Sequence, residues 1–372
     1  MNLADMLCFA DIKDLGRIAE TYELTCNTHS KNDLIQAILA NVSRSDLLKQ
    51  ELGRLGWEEI RFMSSLLFDR RDSFSLEELT ARVRMNVYDG EGQTEINPRE
   101  IISRFKGRGW LFNGHRWNNS YLYLVPEDLK LRFRDTLARQ FGADLVRIAD
   151  NPAVYRDERL LLAEDLYRFL HFMTQNELPL NAEGYLYKRT LQQIQETFTI
   201  SEEPVAKTAW RFGYGRRFRE YPSRFSFIYD YCYYSGLIEE RNAELVISAK
   251  GLKKVEEKER EDMDALYRFY LRLYKGAVPN LQALANWIEC LTGEWTTLAS
   301  LSGILGRLIK PYYYDTPESI LEQRMIGMMG HLGLLLIGED EREGRVVRTS
   351  RVGAKIIKGI HVSDDEMIML TD

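Results

Sequence analysis

Catalysis and metal binding need reactive side chains held close together, and this sequence scatters them. The five histidines, His29, His115, His171, His331 and His361, fall in different segments without metal-ligand spacing and with no cysteine pair beside them. The four cysteines, Cys8, Cys26, Cys232 and Cys290, are widely separated, form no Cys-x-x-Cys pair and read as reduced thiols of a cytosolic protein. No G-x-x-x-x-G-K-[ST], G-x-S-x-G or H-E-x-x-H sequence is present, so the usual signals of a nucleotide motor, a serine hydrolase and a zinc protease are all missing. The run Gly213-Tyr214-Gly215-Arg216-Arg217 is rich in glycine. A phosphate cradle, however, needs a strand before it and a helix opening at it, so that free N–H groups face the anion. Here the helix-like AKTAW precedes it, and the glycines are expected to turn the chain between two helices. Paired carboxylates such as Glu164 and Asp165, or Glu58 and Glu59, sit on helix faces, and nothing in the sequence points to the burial that acid–base work requires. The expectation is a protein without catalytic residues, cofactor or metal.

Positive charge interleaved with aromatic rings is the other chemistry on offer. Residues 99–117 carry Arg99, Arg104, Lys106, Arg108 and Arg116 against Glu100 alone, followed by Trp117. A helix bearing these cations can lie in a major groove while the following hairpin tracks the backbone, and Trp117 can pack on a sugar or a frayed base. The same residues also fit a basic solvated face with Trp117 folded back on Trp110. Residues 207–224 carry Lys207, Arg211, Arg216, Arg217, Arg219 and Arg224 against Glu220, between Trp210, Phe212, Tyr214, Phe218 and Tyr221. Arginine among aromatics suits phosphate and unpaired bases, and it equally suits docking on an acidic protein surface. Arg342, Arg345, Arg348 and Arg351 form a third group, diluted by Glu339, Asp340, Glu341 and Glu343, for which protein contact is the expected use.

The elements that must position these residues recur three times. A helix opened at a proline (Pro98, Pro222, Pro317) ends at a glycine (Gly109, Gly236, Gly333), which starts an apolar strand, a polar turn, a second strand and a further helix. Proline tolerates the first helical position because its missing N–H is not needed there, and glycine can take the left-handed position that ends a helix. This is the pattern of the last helix and wing of a winged helix-turn-helix domain, with hairpins expected near residues 113–120, 240–244 and 339–345. The third helix of the second copy is aromatic nearly all round, from Phe225 to Tyr234, and is expected to be buried or in an interface.

The expected fold class is mainly α with small β wings. A helical module over residues 1–50 precedes winged helices over 51–150, 151–260 and 261–372. In the first module, LADMLCFADIKDLGRIAETY should be helical with a break near Phe9 to Asp11, and Ser30 should cap KNDLIQAILANV. In the first winged helix, Ser75 with Glu78 should cap SLEELTARV. The stretch DERLLLAEDLYRFLHFMTQNELPL reads as one long helix, and AKGLKKVEEKEREDMDALYRFYLRLY reads as helix running on into the third copy. Acidic residues exceed basic ones, 56 to 50, so nucleic-acid binding would have to come from local patches. The start lacks an export signal, and the apolar run Ile326 to Gly338 is too short to span a bilayer, so a soluble cytoplasmic protein without membrane contact is expected.

Two resemblances add to this. HSKNDLIQAIL resembles the small helix-loop-helix modules of the SAP or Rho-N-terminal type, which would place His29, Ser30 and Lys31 at a nucleic-acid contact; a plain helical cap over the next domain fits these residues too. From about residue 157 to 360, carried by DERLLLAEDLYRFLHFMTQNELPLNAEGYLYKRTLQQIQETF, the chain resembles the bacterial tandem winged-helix family related to the amino-terminal region of XPB-type helicases. That resemblance implies tandem winged helices working around DNA or its helicases, and no catalytic residue. The function expected is a non-enzymatic DNA-associated protein that positions a helicase, polymerase or transcription regulator, with double-stranded or partly unpaired DNA as a partner. The alternative is a protein-interaction scaffold that does not bind nucleic acid.

Overall fold

The computed structural model describes residues 1–42, 44–88, 97–114, 121–205, 212–363 and 366–368. The chain is mainly helical, with short strands that form three antiparallel sheets among the described residues, none closed into a barrel. It divides into two compact units, Met1–Asp144 and Leu145–Asp372.

The first unit opens with α1 (Leu3–Phe9) and α2 (Ile12–Thr21), broken at Ala10 and Asp11, then α3 (Lys31–Val42) and α4 (Ser45–Gly53). Local chemistry sets these ends: Asp11 accepts from the Asp14 N–H at 2.7 Å, and Ser30 Oγ accepts from the Asp33 N–H at 3.3 Å. There follow α5 (Trp57–Leu67), β1 (Ser73–Phe74), α6 (Leu76–Asn86), α7 (Pro98–Gly107), β2 (Phe112–Asn113), β3 (Tyr123–Leu124) and α8 (Glu127–Ala143). Ser75 and Glu78 form a reciprocal capping box at the start of α6, which satisfies two N–H groups the helix leaves unpaired. The core is aromatic: Phe62, Phe105, Trp110 and Phe133 meet in sequence at ring separations of 5.1, 5.3 and 5.0 Å.

The second unit contains β4 (Val154–Arg156), α9 (Leu161–Met173), β5 (Leu178–Pro179), α10 (Lys188–Thr197), α11 (Ser223–Tyr234), β6 (Ile238–Arg241), β7 (Glu244–Ile247) and α12 (Ala249–Glu256). It continues with α13 (Met263–Tyr274), α14 (Leu281–Leu291), β8 (Thr296–Thr297), α15 (Leu298–Leu305), a 3-10 turn at Gly306–Leu308 and α16 (Pro317–Ser319). The helix begun by α16 is π-wound over Ile320–Gly327 and ends as α17 (Met328–His331), after which come β9 (Leu335–Asp340), β10 (Gly344–Thr349) and α18 (Arg351–Gly359).

The order helix, strand, helix, helix, strand, strand occurs three times, in α5 to β3, α9 to β7 and α14 to β10. In each sheet the first strand pairs with the third and the third with the second, giving β1-β3-β2, β5-β7-β6 and β8-β10-β9, the last extended at its β9 edge by β4. Gly109, Gly236 and Gly333 all take the left-handed backbone, at φ of 67°, 68° and 64°. Each is followed by a residue whose N–H reaches back to the same place in the helix: Trp110 to Phe105, Leu237 to Cys232 and Leu334 to Met329, at 2.8 to 2.9 Å. The second and third copies share a further device. Ser248 and Ser350 each cap the next helix and donate to the carbonyl of the helix-ending glycine, at 2.7 and 2.8 Å.

Several expectations need correction. The stretch expected as one long helix stops at Met173, and Leu178–Pro179 instead forms the edge strand β5, paired with β7. Helix does not run on between the second and third copies, because Lys258 takes φ of 53° and breaks the chain between α12 and α13. Pro98 and Pro317 occupy the first turn of their helices, whereas Pro222 sits one residue ahead of α11. The second and third hairpins turn at 242–243 and 341–343, inside the expected ranges. The tip of the first, 115–120, lies outside the described residues.

Candidate nucleic-acid interface

Of the basic residues of the first two groups, together with Trp117, four lie outside the described residues: Arg116, Trp117, Lys207 and Arg211. The other eight fall into two very different settings.

Helix α7 carries the first set. Asn97 caps it and Pro98 opens it, while Ile101, Ile102 and Phe105 bury its inner face, so the sequence period leaves Arg99, Glu100, Ser103 and Arg104 outward. The end of the helix is tied down. Arg108 is only 15% exposed; its Nε lies 3.3 Å from Glu51 and its Nη1 3.5 Å from Glu59, and its guanidinium covers the Trp110 ring at 5.0 Å. Arg104, half exposed, also reaches the buried Glu59 at 3.5 Å. Arg99 and Lys106 face the other way, into a cleft of 860 Å³ that also takes in Arg17 and Thr21 of α2 and Tyr123 of β3. Lys106 Nζ lies 5.7 Å from the centre of the Tyr123 ring.

The second set is drawn inward. Arg216 and Arg217 each place Nη2 2.8 Å from the same oxygen of Glu240, whose other oxygen accepts from the Tyr229 hydroxyl at 2.6 Å. Burial acts to raise the Glu240 carboxyl, and the hydrogen bonds from Arg216, Tyr229 and Arg217 outweigh it, holding the group below the usual carboxylate range. The two guanidiniums also cover Tyr233 and Tyr185, at 4.4 and 5.1 Å. Arg224 is fully buried, with Nη1 2.7 Å from Asp165 and Nε 3.3 Å from Glu158. Glu158 is in turn met by His331 at 3.0 Å and Arg156 at 3.1 Å, so one buried charge cluster joins the second and third copies. Arg219 is exposed, its guanidinium 6.0 Å from the Phe218 ring centre.

The loop holding Arg216 depends on a close approach. Gly215 takes φ of 114°, and a Cβ there would lie 2.1 Å from the Asp230 carboxylate, which accepts the Arg216 N–H at 3.1 Å. Burial pushes the Asp230 carboxyl up to about 8, offset only in part by that N–H. Gly213 and Gly215 therefore turn the chain over a buried acid.

Arg17, Tyr123 and the tyrosine tract 312–314 are not among the residues expected from the sequence. Arg17 and Tyr123 reach the α7 cleft from other elements, and no spacing rule links them to it. The tract Tyr312-Tyr313-Tyr314 forms a tight turn closed by mutual Tyr312 and Asp315 backbone bonds, with Tyr313 at φ of 51°. Tyr313 and Tyr314 are 81% and 71% exposed. Phe212 packs within 6.1 Å of all three rings, and Arg324 clamps the turn from below through Asp315 and the Phe212 carbonyl. Adjacent bulky residues of this kind are the signal that would have found it.

Among the described residues, no group of His, Cys, Asp and Glu could hold a metal ion, and no helix is long and apolar enough to cross a membrane. No protein-family model matches the chain, and no curated protein matches it.

Proposed function

We propose that the chain is a non-enzymatic protein of three tandem winged helix-turn-helix domains behind a small helical module, and that it positions a helicase, polymerase or transcription regulator at DNA. The thrice-repeated helix and strand order, with the first strand always paired to the third, supports the winged-helix assignment. It also fits the family related to the amino-terminal region of XPB-type helicases.

One observation carries the functional part. In a winged helix the third helix is the element that enters a nucleic acid. In the second copy that helix is buried continuously from Arg224 to Cys232, and in the third from Met328 to His331 with Ile320, Leu321, Arg324, Met325 and Ile326. Among the described residues of the three helices, only α7 turns a basic face outward, with Arg99, Ser103 and Arg104 on it and Lys106 beside it, whereas the third copy's helix shows Glu318, Glu322 and Gln323 to solvent. On this reading the first copy touches nucleic acid, and the second and third serve as a docking block. Phosphate contacts supply affinity and make it depend on salt.

The test is titration of the full chain and of R99E/K106E with duplex and single-stranded oligonucleotides at two salt concentrations. Binding by the native chain that the reversal abolishes is the expected result; equal affinity in both proteins would sink it. A scaffold without nucleic-acid binding is the second reading. It is favoured by the engagement of Arg104 and Arg108 with Glu59 and Glu51, and by the net charge of -6.

A further inference from the structure

The surroundings of α7 bear on which form of nucleic acid it can meet. A helix that reads a duplex must stand clear of its neighbours, because the major groove is about 12 Å wide and a helix with its side chains is itself roughly 10–12 Å across. In this chain α2 covers the C-terminal end of α7. A Cβ on Gly109 would lie 3.3 Å from Ile18, and one on Gly107 would lie 3.4 Å from Thr21. The Tyr22 hydroxyl donates to the Arg108 carbonyl at 3.0 Å. Two helices packed with axes about 8–10 Å apart are together too broad for the groove. Arg99, Ser103 and Lys106 therefore line a cleft instead of crowning a ridge, with Arg17 and Thr21 on the α2 side and Tyr123 on the hairpin side.

Resting on the nucleic-acid reading of α7, we propose that this cleft binds a single unpaired strand. Arg17, Arg99 and Lys106 meet its phosphates, and the Tyr123 ring meets a base. At about 860 Å³ the cleft has room for an unpaired nucleotide, while α2 packed beside α7 keeps the helix pair from entering a major groove about 12 Å wide. Aromatic stacking is open to any base, since every base has a π-face. Asp14 and Glu20 also line the cleft, and Asp14 lies 3.5 Å from Arg17. The positive excess is small, so stacking must carry a large share of the binding. With three cations engaged, the slope of log affinity against log salt on a single strand is about -2.

The experiment uses the full chain, a labelled oligothymidylate of about 15 nucleotides and a duplex of the same length, a span covering one OB-fold-sized site. Fluorescence anisotropy is read at two salt concentrations for the native protein, R99A/K106A and Tyr123→Leu, with circular dichroism confirming that each variant is folded. Leucine keeps an apolar side chain in the strand and removes the π-face. The single strand is expected to bind at least tenfold tighter than the duplex. Tyr123→Leu should weaken it about tenfold, the loss of one stacked base. R99A/K106A should lower the salt slope by between one and two. Duplex binding that is as tight or tighter, and is lost in R99A/K106A, overturns the single-strand inference while the nucleic-acid reading of α7 stands. Single-strand binding indifferent to both variants places the strand elsewhere and also overturns it. If neither form binds, both fall.

Discussion

Replacing Arg216 and Arg217 together by glutamine separates a structural role from a nucleic-acid role. Both guanidiniums converge on Glu240, whose side chain is 15% exposed, and their removal leaves it only the Tyr229 hydroxyl among the bonds described above. Hydrogen bonds to a charged group contribute about 1.5–3 kcal/mol each, and stripping the partners from a buried charge costs about 3–5 kcal/mol. Water can still reach part of Glu240, so the lower end applies, about 3 kcal/mol. For a unit of this size, that lowers the melting temperature by roughly 6–12 °C. Adding Glu240→Gln to the double variant removes the stranded charge and should recover at least half of the loss. The assay is urea and thermal unfolding followed by circular dichroism, with oligonucleotide titration of the same proteins. If these arginines are structural, nucleic-acid affinity and its salt slope stay unchanged. Stability within about 0.5 kcal/mol of the native protein, the scatter of ordinary surface changes, together with a salt slope reduced by about one per arginine, would refute the reasoning.

Three further outcomes are expected. Arg224→Met should destabilise the second unit by about 3–5 kcal/mol, because it leaves the buried Asp165 without its guanidinium and takes one of three basic partners from Glu158, and adding D165N should restore part of the loss in the same unfolding assay. Asp230, pushed up to about 8 by burial, keeps a proton in the folded chain that the unfolded chain releases near pH 4, so its contribution is full below about 4 and is lost as pH rises toward 8. Asp230→Asn should therefore flatten the fall in stability between pH 5 and pH 8.5, and identical pH profiles for the two proteins would count against the assignment. The three helix-ending glycines should differ in tolerance. Gly333→Ala would force a Cβ to within 2.0 Å of the Arg159 carbonyl and should cost several kcal/mol or prevent folding, whereas Gly236→Ala meets nothing within 4 Å and should cost about 1–2 kcal/mol for the left-handed backbone alone. Equal losses at the two positions would show that close approach is not what separates them.

What local sequence determines is visible in the repeat itself. Helix ends are set by groups a few residues apart, so the glycines at 109, 236 and 333, the Ser75 and Glu78 box and the break at Ala10 and Asp11 are readable directly, and hairpins follow them. The aromatic composition of α11 likewise announces its burial, since no face is left to meet water. The two-residue strands β1, β5 and β8 escape such a reading. Each is a strand only because it pairs with the third strand of its hairpin, as Leu178 and Pro179 do with Leu245 and Glu244, and a stretch that short has no period of its own.

The fate of the basic residues is decided by tertiary structure alone. Arg99 and Arg224 are the same side chain near the start of equivalent helices, yet one faces an open cleft and the other is sealed against Glu158 and Asp165. The carboxylates that claim Arg216, Arg217 and Arg224 come from β6, the turn before α9 and α9 itself, and the helix that walls the α7 cleft comes from the start of the chain. A charge count along the sequence registers only neighbours in the chain. Coulombic pairing and desolvation act through space, and so a run of arginines becomes a binding surface or a set of internal ties according to what the fold brings against it.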